Sequence, residues 1–234
     1  MLSQNEVDRR LSKANVKSVD ARGSVKGMHA KNSGLRSRVP ELESVVNQLN
    51  GWTSEQGRES LAILISRLER FSRMERSDPF KEFLSNSEFS IKLLGFTKDG
   101  CDDVGVVINV ISALGNMIDR YGLLPSDSIF DFFVDLMNEK RVAYHISIFI
   151  TKFPQFKRLP SRWDYVVSIP RIAPRSDSAK NFYAEIKRAI KCGEVIPPEY
   201  RDKVVAILDD FSSKTKSKVM EEEYKTTISY LLGS

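Results

Sequence analysis

At 234 residues, 41% of them apolar and 29% charged, the chain has the size and balance of one large or two small folded domains. Its two cysteines (Cys101, Cys192) and two histidines (His29, His145) lie far apart, which argues against a disulfide-stapled domain and gives no zinc-ligand spacing. The net charge of +5 points to an anionic partner, but its placement carries more information than its size.

Residues 1–39 hold nine Lys and Arg, among them Arg9, Arg10, Arg22, Arg36 and Arg38, against three acids, a net of +6. Large apolar groups are few, so this stretch cannot bury enough surface to offset the entropy of ordering. It reads as an extended basic arm, disordered in isolation. It has no apolar core of a secretory signal, and Glu6, Asp8 and Asp20 argue against a mitochondrial leader. The expected location is intracellular and reducing, cytoplasmic rather than mitochondrial.

From Pro40 to Ser234 the pattern is that of an α-helical domain. "PELESVVNQLN" begins on a proline suited to a first helical turn. Next, Thr53 and Gln56 have capping-box spacing before Leu61, Leu64, Ile65, Leu68 and Phe71, which share one helix face. Asp78 and Pro79 open the following helix.

Residues 103–119, "DVGVVINVISALGNMID", are almost solidly apolar. They fall short of the roughly 18 uninterrupted apolar residues of a membrane span, and Asn109 and Asn116 interrupt them. Val104, Val107, Ile108, Ile111, Leu114 and Ile118 form one helical stripe, and Val106, Val110, Ala113 and Met117 a second. A third stripe of Gly105, Asn109, Ser112 and Asn116 is small. Two apolar faces predict a buried helix capped by Asp102 or Asp103, whose small stripe admits a close neighbour or faces solvent.

"SDSIFDFFVDLMNEK" repeats the helical pattern, with Asp127, Asp131 and Asp135 on the solvated side. Residues 142–153 fit a strand by the alternation of Ile146, Ile148 and Ile150. They fit a helix better, by Val142, Ile146, Phe149, Ile150 and Phe153. Four prolines within 154–175 predict a connector with no long helix. Helices then follow from about Asp177 to Gly193, from Pro197 and Pro198 through Phe211, and over about 216–232. The fold class is all-α, either helical-repeat-like, since helix starts near 79, 127 and 177 recur at about 50 residues, or an irregular helical domain.

No glycine-rich phosphate loop, nucleophile elbow or paired acid and base is present, and no cofactor is expected. His145, beside Tyr144 in an apolar helix, reads as structural. The segment 152–175 carries Lys152, Lys157, Arg158, Arg162, Arg171 and Arg175 against Asp164 alone, interleaved with Phe153, Phe156, Trp163 and Tyr165. Cations that neutralise phosphates beside aromatics that stack on bases are the combination used on single-stranded RNA. Lys180, Lys187 and Lys191 share a narrow arc of the next helix, opposite Phe182 and Ile186. The expectation is a non-enzymatic RNA-binding or structural subunit of a ribonucleoprotein assembly, in which the arm also meets protein neighbours. A helical scaffold or adaptor, or a viral nucleocapsid or coat subunit, is the alternative.

Overall fold

The computed structural model describes residues 38–74, 78–99, 103–173 and 176–233. Among these the chain forms eleven α-helices and three short 3-10 turns, with no strand. In order they are α1 (Val39–Asn50), α2 (Arg58–Ser72), α3 (Asp78–Leu84), α4 (Ser87–Asp99), α5 (Val104–Tyr121) and α6 (Asp127–Asp135), then α7 (Ala143–Phe149), α8 (Arg162–Ile172), α9 (Ser176–Lys191), α10 (Pro198–Lys214) and α11 (Lys218–Gly233). All but the last two residues of the basic arm lie outside the described residues; Arg38 and Val39 belong to α1 and its entry.

The apolar stretch at 103–119 is α5, the helix around which the first half is built. Asp103 Oδ1 accepts from the amides of Gly105 (2.8 Å) and Val106 (3.3 Å), and Gly122 closes the other end at φ +73°. Helices α2, α3, α4 and α7 all pack on it. Val110, Ile111, Ala113, Leu114 and Met117 are fully enclosed. Each large aliphatic side chain so buried contributes about 1.5–3 kcal/mol. The small stripe divides. Gly105 and Asn109 stay at the surface or half-buried, whereas Ser112 and Asn116 are buried, and the Asn116 amide donates to Ser72 Oγ at 3.3 Å.

Residues 142–153 are helical, as α7 followed by a 3-10 turn over Ile150–Lys152. Two boundaries differ from the sequence reading. The Thr53 and Gln56 box closes a 3-10 turn over Ser54–Gln56, with Gln56 Oε1 accepting from the Thr53 amide at 3.2 Å. Helix α2 starts only at Arg58, because Gly57 turns the chain at φ +80°. The proline-rich segment is not a mere connector. Pro154–Arg158 is a 3-10 turn and Arg162–Ile172 is an α-helix. No proline falls between Ser161 and Ile169, and Tyr165, Val166 and Ile169 bury on one side. Pro170 sits in the final turn, where its missing N–H forfeits one intrahelical bond, to Val166, and only two helical residues follow it.

The helices fall into two groups joined at α5 and α7. Helices α1–α6 pack on one another, mostly through α5. From α7 the chain builds onward: α7 on α8 and α9, α8 on α9 and α10, and α10 on α11. The α10–α11 pair is anchored to α9 by the Tyr183–Tyr224 edge contact at 4.7 Å and by the Tyr183 hydroxyl, 3.1 Å from Thr227 Oγ1.

Candidate functional site

The cations and aromatics of 152–175 are largely used inside the fold. Phe153, Phe156 and Tyr165 are core residues, with Phe156 edge-on to Tyr165 at 6.1 Å. Of the aromatics, Trp163 alone is only half-buried, and its face is taken by the Arg162 guanidinium at 4.7 Å. Lys152 pairs with Asp119 at 2.6 Å, tying the two helix groups together. Lys187 pairs with Glu223 of α11 at 3.0 Å, which raises its pKa above the ordinary lysine value.

Arg162 is buried, its side chain only 8% exposed, and is the centre of a charge network that the sequence does not announce. Its Nη2 lies 2.9 Å from Glu185 of α9 and 2.7 Å from Glu194 in the turn after α9. Arg188 closes the ring, donating to both oxygens of Glu185 at 2.7 and 2.8 Å and to Glu194 at 3.1 Å. Lys157 reaches Glu194 at 3.3 Å. Burial pushes the Glu194 carboxyl up, but the hydrogen bonds and charges of the two arginines outweigh it and hold the group down at about 2. Glu185, only 1% exposed, is the residue that sequence reasoning missed. An acid on an otherwise apolar face beside Phe182 and Ile186 is the signal that was present.

What remains available to a partner is smaller. A groove of about 540 Å³ runs between α8 and α10, floored by Val167, Ala206 and Ile207 and edged by Arg171 and Lys203. Neither cation has a carboxylate partner among the described residues. Asp164 also lines the groove, and its carboxylate raises the pKa of the neighbouring Tyr200. Lys203 was not among the sequence candidates; it joins Arg171 only because α10 packs on α8. Arg158 and Lys191 are exposed, as is Lys180. Arg38 lies at the entry to α1, paired with Glu41 at 3.3 Å and over the Phe71 ring at 5.0 Å. Arg9, Arg10, Arg22, Arg36 and Arg175 lie outside the described residues.

Ser112 Oγ is 3.4 Å from His145 Nδ1, within the packing of α5 against α7. Cys192 is exposed and unpaired by any disulfide. Among the described residues no three His, Cys, Asp or Glu side chains are gathered for a metal ion, and no helix is long and apolar enough to cross a membrane. No protein-family model matches the chain, no curated protein matches it in sequence, and no solved structure matches it.

Proposed function

We propose that this chain is a non-enzymatic, RNA-binding structural subunit of a ribonucleoprotein assembly, a repeat-like stack of helices that holds the RNA backbone along the α8–α10 groove and with its basic N-terminal arm. The observation that carries this reading is the convergence of Arg171 and Lys203 on one groove, with no carboxylate paired to either. The apolar floor suits ribose and base edges, and the two cations suit successive phosphates. Contacts of this kind position RNA without reading its sequence. The test is affinity for single-stranded RNA against salt. With Arg171→Gln and Lys203→Gln together, the slope of log affinity on log salt flattens by about 1.4, at roughly 0.7 per phosphate. An unchanged slope removes the groove from the interface.

A second reading, a protein–protein scaffold or adaptor or a nucleocapsid-like coat subunit, is favoured by one observation. Lys152, Lys157, Arg162 and Lys187 are all engaged with carboxylates of the same chain. RNA affinity with a salt slope near zero in the unaltered protein selects the adaptor.

A further inference from the structure

We infer that a second groove, at the far side of the first helix group, is the docking site for residues 7–17 of the same chain. This inference needs no RNA, but it uses cations of the same arm that the proposed function gives to RNA, so groove and RNA are competing occupants of residues 7–17. The groove, of about 410 Å³, lies between α1 and the α3–α4 corner. Val46, Phe83 and Phe89 form its apolar lining, and Glu82 and Glu88 stand exposed beside them. Neither carboxylate has a cationic partner among the described residues. Lys92, the one cation there, is turned to the Asn50 carbonyl, where it caps the C-terminus of α1. The groove is therefore apolar inside and acidic outside.

Charge bookkeeping identifies the complementary segment. Residues 1–37 contain eight Lys and Arg and three acids, a net of +5, which equals the charge of the whole chain. Residues 38–234 thus sum to zero, with 28 of each sign. Within the first 37 residues the charge is densest in "VDRRLSKANVK", residues 7–17, with Arg9, Arg10, Lys13 and Lys17 against Asp8. The same eleven residues carry Val7, Leu11 and Val16, so the stretch offers apolar anchors among cations, as the groove offers an apolar floor among acids. Reach is ample. Arg38 is held at Met74 and Phe71, and Val46 lies seven residues along α1 from Val39, about 10 Å at 1.5 Å per residue. The 20 residues from 18 to 37 can span up to about 65 Å.

The test uses the full chain, freed of nucleic acid, with the photocrosslinker p-benzoylphenylalanine in place of Leu11. The expected product has the mass of one chain and joins position 11 to a peptide within residues 79–92. Glu82→Lys with Glu88→Lys lowers its yield roughly tenfold, since two attractive pairs become repulsive. Both positions are exposed, so the fold is retained. Asp131→Lys with Asp135→Lys, an equal change of charge on α6, leaves the yield unchanged. A product of twice the chain mass makes the occupant a second copy and overturns the assignment. A crosslink elsewhere, no crosslink, or equal losses from both charge reversals overturns it as well.

Discussion

At the scale of single residues, two positions carry sharp consequences. Gly115 lies where α7 meets α5, and a Cβ there would stand 2.1 Å from Cγ of Phe149, inside the ring's own contact radius. Glycine is needed here for approach and not for backbone freedom, since it lies in mid-helix. Gly115→Ala should therefore destabilise by at least about 1–3 kcal/mol through overpacking, in spite of alanine's better helix propensity. Chemical denaturation checks this, and adding Phe149→Leu should recover part of the loss; a neutral Gly115→Ala would mean that the ring moves aside freely. The second position is Glu185. It accepts from Arg162 and Arg188 while 1% exposed, so Glu185→Ala leaves the buried Arg162 and its neighbour Arg188 to share Glu194 alone, one carboxylate for two guanidiniums. The expected cost is about 3–5 kcal/mol. Trp163→Ala should cost less than a core aromatic, because the indole is half-buried and stacked on Arg162.

At the scale of elements, helix existence was legible and helix neighbours were not. The i, i+3, i+4, i+7 faces of α2 and α5 are local properties of the sequence, as is an aspartate cap at 102 or 103; the structure carries both faces and caps α5 with Asp103. The helical state of 142–153 was also readable, since five residues share a helix face and no strand partner exists among the described residues. Proline count misled at 154–175, because what matters is the interval between prolines; the eight residues from Arg162 to Ile169 suffice for two turns. Which cation meets which acid was not legible at all. Arg162 and Glu194 are 32 residues apart, and Lys187 and Glu223 are 36 apart. The network that joins α8, α9 and the following turn has a pH signature. Glu194 stays ionised in the folded chain down to about 2, against an ordinary 4.5. The unfolded chain takes up the proton first, so the stabilisation is complete above about 4.5 and is lost as pH falls from there toward 2. Urea midpoints measured across that window should fall more steeply for the parent than for Glu194→Gln, and parallel curves would show that the carboxylate contributes nothing to acid stability.

At the scale of the whole molecule, charge is segregated along the chain and therefore in space. Residues 38–140 hold 11 Lys and Arg against 17 acids, a net of −6, and residues 141–234 hold 17 against 11, a net of +6. Helices α1–α6 pack mainly among themselves and α7–α11 build away from them, so the sign change in sequence is a sign change across the body. A field of this kind steers a polyanion toward one end, and its reach shrinks to about 8 Å at physiological salt. The α8–α10 groove lies in the positive half, whereas the Glu82 and Glu88 groove lies in the negative half. Ultraviolet crosslinking of the full protein to a uridine oligonucleotide, followed by peptide mapping, should place adducts within residues 141–234 and 1–37 and leave 38–140 nearly bare. Raising salt should remove them together, because each rests on phosphate neutralisation and not on base recognition. Adducts centred on α1–α6 would mean that short-range stacking overrides the field. A map without adducts in either half, from a protein that still assembles, would move the chain to the adaptor class and leave its basic N-terminal arm to a protein neighbour.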